Sequence, residues 1–128
     1  MNTRVIYLYR DAANYKATES VVLAGTLSAD EARRLRAAID TAARGAGIDP
    51  GGFSPVDFGL PPAQLVLWSH HDQNEDDHIY NELLDLEPTD APITHDTIDA
   101  RGLLAAAERA ATRGYDLARA MRTLGLDA

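Results

Sequence analysis

Cysteine is absent from the chain, so disulfides, thiolate zinc centres and cysteine nucleophiles are all excluded. Long apolar runs are absent too: nothing approaches the ~20 residues that a membrane-spanning helix needs. The apolar run near the start, VIYLY, is closed by Arg10 and Asp11 and is too short for the core of a signal peptide. A cytoplasmic protein is therefore the expectation. A third absence is local. Between Arg44 and Arg101 there is no lysine or arginine, while twelve carboxylates fall there: Asp49, Asp57, Asp72, Glu75, Asp76, Asp77, Glu82, Asp85, Glu87, Asp90, Asp96 and Asp99. The middle of the chain carries −12 and the remainder +4, within a net charge of −8. Phosphate contacts need clustered lysine and arginine, so nucleic acid and anionic membranes are disfavoured as partners, and cations or a basic protein surface are favoured.

What is present is an ordinary globular composition. The chain has 128 residues, 45% hydrophobic and 25% charged, the size of a single domain over 1–128 whose core needs no staples. TRVIYLYR (3–10) and SVVLAGTL (20–27) read as strands joined by the turn DAANYKAT into a hairpin. SADE (28–31) places a serine and a glutamate as a capping box does. A helix is expected from there to about Arg44, with Ala32, Leu35, Ile39, Ala42 and Ala46 on one stripe. GGFSPVDFGLPP (51–62) reads as an ordered, irregular crossing anchored by Phe53, Phe58 and Leu60. AQLVLWS (63–69) reads as a third strand and HIYNELLDLE (78–87) as a fourth. Thr94, Asp96 or Thr97 can cap a second long helix reaching Gly114, and YDLARAMRTLG (115–125) makes a final short one. The order ββαββα predicts a two-layer α+β domain: a mainly antiparallel four-stranded sheet with helices on one face.

The densest chemistry lies in HHDQNEDDH (70–78), three histidines and four acids in nine positions. An EF-hand reading fails on spacing: Asp72, Asn74 and Asp76 suit its first three ligand positions, but Asp77 stands where glycine is needed and Leu83 where glutamate is. A divalent transition-metal site is chemically open, with His71, Asp76 and His78 as ligands if the loop folds back and His95 as a remote fourth. The motif lacks the fixed helical spacing of HExxH, and His70 and His71 point apart on an extended chain. The plainer alternative is a solvated connection between two strands.

On the fourth strand, alternation puts His78, Tyr80, Glu82, Leu84 and Leu86 on one face, taken as the core side because it ends in two leucines. Glu82 would then need a cation, and Arg10 and Lys16, flanking the first turn, are candidates. A polar pocket of Arg10, Tyr15, Lys16, His78, Tyr80 and Glu82 is the functional reading; a structural ion pair at the end of the sheet is the simpler one.

YRDAANYK (9–16), together with DDHIYNEL (76–83), resembles a group of uncharacterised small bacterial proteins that carry an N-terminal YRDxxNYK segment and a later acidic DHxYxE strand. The resemblance brings no activity with it. It implies that Arg10, Asp11, Asn14, Tyr15, Lys16, His78 and Glu82 are to be tested as one set, and the alanine-rich helices and longer C-terminal end depart from it.

No GxSxG elbow, phosphate loop or dinucleotide fingerprint is present, and Ser69 beside His70 is no argument for a triad. Arg33, Arg36 and Arg44, with Asp40 between them, form a row on the first helix that can pair with the acidic block within the chain or between subunits of a homo-oligomer. Trp68, beside the loop, suits a core role. The leading expectation is a non-enzymatic binding protein that recognises a basic partner through residues 70–90, with Asp76 and Asp77 among its contacts. The alternatives are a metal-dependent hydrolase with His71, Asp76 and His78 as ligands and Glu82 as general base, and a small-ligand sensor using the Arg10/Lys16/Glu82 pocket.

Overall fold

The computed structural model describes residues 1–126. Its first two elements are the expected hairpin. β1 (Asn2–Arg10) and β2 (Lys16–Leu23) pair antiparallel from Thr3 opposite Leu23 to Arg10 opposite Lys16. β1 alternates cleanly: Thr3, Val5, Tyr7 and Tyr9 are buried and the residues between them are half-buried. The turn closes on Asp11, whose N–H donates to Tyr15 O (3.0 Å) and whose Oδ1 accepts from Tyr15 N–H (2.9 Å). Asn14 takes a left-handed backbone at φ 70°, a conformation that asparagine tolerates better than most residues.

α1 (Ala29–Ala46) starts where SADE predicts. Ser28 Oγ accepts from Glu31 N–H (3.0 Å), and Glu31 Oε1 accepts from Ser28 N–H (2.9 Å). Of the expected stripe, Leu35, Ile39 and Ala42 are buried, whereas Ala46 is exposed. The helix then gives way to β3 (Gly52–Phe53), a two-residue strand, and to two short helices, α2 (Pro55–Phe58) and α3 (Gln64–Trp68). β4 (Asn81–Thr89) returns through the sheet, followed by α4 (Ala100–Arg113), capped by Asp99, and α5 (Leu117–Leu124), capped by Asp116.

The sheet has four antiparallel strands in the order β2-β1-β4-β3, and α1 and α4 pack on one face of it. The two-layer α+β architecture is thus as expected, but the identity of one strand is not. Residues 63–69 are not a strand. Gln64 and Leu67, three apart, are buried, while Leu65 and Val66 face outward, which is a helical pattern. The sheet position beside β4 is taken by Gly52–Phe53, within the segment read as an irregular crossing.

The fourth strand begins at Asn81 rather than His78, and its facing is the reverse of the expected one over its first half. Asn81 is buried and Leu83 sits opposite buried Tyr7, while Glu82 lies opposite Leu8 on the outer face. The register then shifts: Ile6 pairs with Asp85 and Tyr7 with Leu83, so Leu84 is the extra residue of a β-bulge. Beyond the bulge Leu86 faces inward opposite Val5. Leu83 and Leu86 therefore both reach the core, and Leu84 is 49% exposed.

The main core joins Val5, Tyr7 and Tyr9 to Leu35, Ile39, Leu103 and Ala107. A second cluster of Ile79, Ala120 and Leu124 seats α5. Along the free side of β2, Val22 donates its N–H to Thr94 Oγ1 (2.8 Å) and accepts from Thr94 N–H (3.0 Å), so residues 94–95 cover that part of the edge. No helix among the described residues is long and apolar enough to cross a membrane.

Candidate functional site

The first hairpin turn, the acidic loop and the start of β4 meet at one end of the sheet. Tyr9, fully buried, donates its hydroxyl to Asp77 Oδ1 at 2.5 Å and accepts from His78 N–H at 3.2 Å. Burial, and then the bond to Asp77, raise the Tyr9 phenol far above its ordinary range, so it remains a donor. Asp77 Oδ2 accepts in turn from Asn74 N–H (2.9 Å), and Asn74 Oδ1 from Asp76 N–H (2.8 Å). Two longer ties hold the loop down: Ala12 N–H to Asp76 O (3.1 Å) and Gln73 Nε2 to Leu124 O (2.8 Å). The loop is a built structure, fixed to β1, the hairpin turn and α5.

Arg10 is the second hub. Its Nε lies 3.2 Å from Glu82 Oε1, its Nη1 donates to Asn14 Oδ1 at 2.6 Å, and its carbonyl accepts from His78 Nε2 at 2.8 Å. The Arg10 and Glu82 side chains are 40% and 45% exposed, so their pairing contributes no more than ~1 kcal/mol. Glu82 faces outward, which corrects its assignment to the core side. Four residues of the expected pocket, Arg10, His78, Tyr80 and Glu82, line a cleft of about 760 Å³ together with Asn81 and the loop Gly47–Pro50. Burial, with Asp57 nearby, raises the Tyr80 phenol and keeps it protonated at the cleft wall. The other two residues lie elsewhere. Tyr15 packs against His71, with ring centroids 4.4 Å apart and ring planes tilted by 37°, and Lys16 is exposed and forms no ion pair among the described residues.

The proposed metal ligands do not converge. His78 has both ring nitrogens engaged: Nε2 must carry the proton to reach the Arg10 carbonyl, and Nδ1 accepts from Tyr80 N–H at 3.0 Å, leaving no lone pair for a cation. His71 lies against Tyr15, and its Nε2 is buried with no partner. His95 is held at Gly59 O and Thr97 Oγ1, both at 2.8 Å, and supplies no fourth ligand to the loop. Among the described residues no three histidine or carboxylate side chains are grouped to hold a metal ion. The His70 ring, on an exposed surface, lies 3.2 Å from Ser69 Oγ.

One buried polar unit escaped the sequence reading. Gln64 and Asn81, both essentially inaccessible, bond through Asn81 Nδ2 to Gln64 Oε1 at 2.6 Å. Asn81 Oδ1 accepts from Ala63 N–H (3.0 Å), and Gln64 Nε2 donates to His78 O (3.1 Å), so the pair joins α3 to the strand entrance. The only trace of it in the sequence is two amides in otherwise apolar surroundings.

Fold and site together define a two-layer α+β domain with a hydrogen-bonded acidic loop and an adjoining polar cleft at one end of its sheet. No protein-family model matches the chain, and neither the curated proteins nor the solved structures include a match.

Proposed function

We propose that the protein is a small, non-enzymatic, cytoplasmic binding module, of inhibitor, immunity or adaptor type, that recognises a basic protein surface through the loop 70–78 and its surroundings. The observation that carries this reading is unpaired charge on an ordered support. Four of the twelve central carboxylates, Asp57, Glu82, Asp85 and Glu87, lie within 4 Å of an arginine; the other eight have no such partner among the described residues. Asp72 and Glu75 are exposed on a loop that its own hydrogen bonds hold in place. A surface already ordered loses little conformational entropy on binding.

The loop also borders apolar surface. Leu65 and Val66 on α3 are 54% and 42% exposed, and Tyr15, packed against His71, is 53% exposed. Exposed apolar side chains beside charged ones match the general make-up of protein interfaces, and the carboxylates select a partner carrying arginine or lysine.

The test is fluorescence anisotropy of a labelled amphipathic peptide rich in arginine and leucine. Binding is expected to weaken several-fold between about 50 and 300 mM salt, as charge attraction is screened. It should weaken about tenfold further in the triple variant Asp72→Asn/Glu75→Gln/Asp76→Asn, since two exposed pairs and one at the half-buried Asp76, at ~0.5 kcal/mol each, amount to one decade. Equal affinity for the triple variant and the parent would refute the reading.

A second reading has one specific observation in its favour. The cleft beside Arg10 and Glu82 has the volume of a small-molecule site and mixes apolar walls (Ile48, Pro50) with a few polar groups, as a ligand sensor would.

A further inference from the structure

The molecule has a second, oppositely charged cleft that the acidic loop does not use. It lies where α4 gives way to α5, has a volume of about 460 Å³, and is lined by Arg109, Arg113 and Arg119 together with Tyr115, Ala106 and Ala110. We propose that this cleft is a binding site for a small phosphate monoester.

The charge balance of the cleft singles out two arginines. Asp57 and Asp116 also line it, but both are engaged in holding the fold. Asp57 accepts from Ser54 Oγ (2.6 Å) and Asp116 N–H (2.8 Å) and lies 3.8 Å from Arg119; Asp116 caps α5 through Arg119 N–H at 3.0 Å. Arg109 and Arg113 have no carboxylate within 4 Å among the described residues. They stand one turn apart on α4, where two like charges at i,i+4 repel unless an anion lies between them.

Two guanidinium groups with no carboxylate partner among the described residues match a phosphate monoester in charge and shape. The dianion carries close to two charges at neutral pH, and its oxygens accept paired N–H bonds from arginine. The remaining lining suits the organic part of such a ligand. Ala106 and Ala110 are buried apolar residues, and Tyr115 packs between Phe58 and Tyr80, with ring centroids at 5.9 and 6.1 Å. The Tyr115 hydroxyl is buried and has no hydrogen-bond partner among the described residues. The net charge of −8 repels anions at long range, so capture here must come from contacts inside the cleft.

The test uses the full chain and two probes, phenyl phosphate and inorganic phosphate, followed by amide chemical shifts in an NMR titration. Phenyl phosphate is expected to saturate, with shifts centred on residues 106–119. Arg109→Gln and Arg113→Gln should each weaken it about tenfold, the loss of one charge-assisted hydrogen bond. Arg33→Gln, on α1 and outside the cleft, should leave binding unchanged. Affinity should also fall as pH drops below about 6, where the monoester takes up its second proton. Inorganic phosphate binding as tightly as phenyl phosphate would overturn the monoester assignment. Absence of saturable binding, or binding untouched by the Arg109 and Arg113 changes, would overturn the site. Neither outcome bears on the acidic loop, which lies outside this cleft.

Discussion

Replacing Tyr9 by phenylalanine isolates the link between the core and the acidic loop. The ring is fully buried and fills the same volume in the variant, so no cavity term arises. What disappears is one hydroxyl that donates to Asp77 at 2.5 Å and accepts from His78 N–H at 3.2 Å. The first of these is a hydrogen bond to a carboxylate, worth about 1.5–3 kcal/mol, and the second leaves an amide without a partner. Asp77 is only partly buried, so water recovers some of the loss. A net cost of about 2–3 kcal/mol follows. Tyr7→Phe is the internal control: that hydroxyl donates to a neutral carbonyl, Pro61 O, at 2.6 Å, and its removal should cost about 1 kcal/mol. Urea unfolding at pH 7 can be followed through Trp68, the one tryptophan, whose ring packs 6.2 Å from Tyr9. With a slope of about 2 kcal/mol per M, the midpoint should drop by roughly 1 M for Tyr9→Phe and roughly 0.5 M for Tyr7→Phe. Hydrogen exchange should quicken over residues 74–78 in the first variant alone. A Tyr9→Phe midpoint no lower than that of Tyr7→Phe would show that Asp77 draws no support from the core.

Two further outcomes test other parts of the molecule. Asn81→Ala strands Ala63 N–H and the Gln64 amide in the interior and should cost about 2–4 kcal/mol, seen as a fall in Tm of roughly 10 °C; a fall under about 2 °C would mean the amide pair is dispensable. At high pH the sign follows from burial: the phenols of Tyr7, Tyr9 and Tyr115 are raised chiefly by desolvation, so the stability they contribute is full below the unfolded value of about 10 and is lost as pH climbs beyond it. Phenolate absorbance from these three should therefore rise together with loss of far-ultraviolet dichroism, and ionisation that runs to completion in the folded state would contradict their burial.

The hairpin, the first helix and the fold class were legible because each rests on local rules: apolar runs in the paired strands, a capping box before α1, and apolar spacing along α1. The second long helix was also legible, though it is capped by Asp99 and not by Thr94, Asp96 or Thr97. The misread parts depend on tertiary choices. Residues 63–69 have the valine, leucine and tryptophan of a strand, but β1 is already flanked by β2 and β4, and the last sheet position went to Gly52–Phe53, too short to leave a pattern. In β4, Leu83, Leu84 and Leu86 cannot share one face of a regular strand; the bulge resolves the conflict by turning Leu84 out, and a strict period of two chose the wrong pair. Arg10, His78, Tyr80 and Glu82 line one cleft because they flank the same turn and strand entrance, whereas Tyr15 and Lys16, expected beside them, do not line it. The ligand role given to His78 did not survive because a ring's hydrogen-bond partners, here two backbone groups, leave no mark on residue spacing.

The short run at Thr94 has a consequence for how the molecule behaves in a crowd. By occupying both backbone groups of Val22, it denies a neighbouring polypeptide the place where a foreign strand would begin to zip onto β2. Lys16 at the other end of the same strand adds a charge against such stacking, and Pro88, on β4, interrupts the ladder that a newcomer would need on the opposite margin. Each margin of the sheet thus carries at least one feature that hinders the docking of a foreign strand.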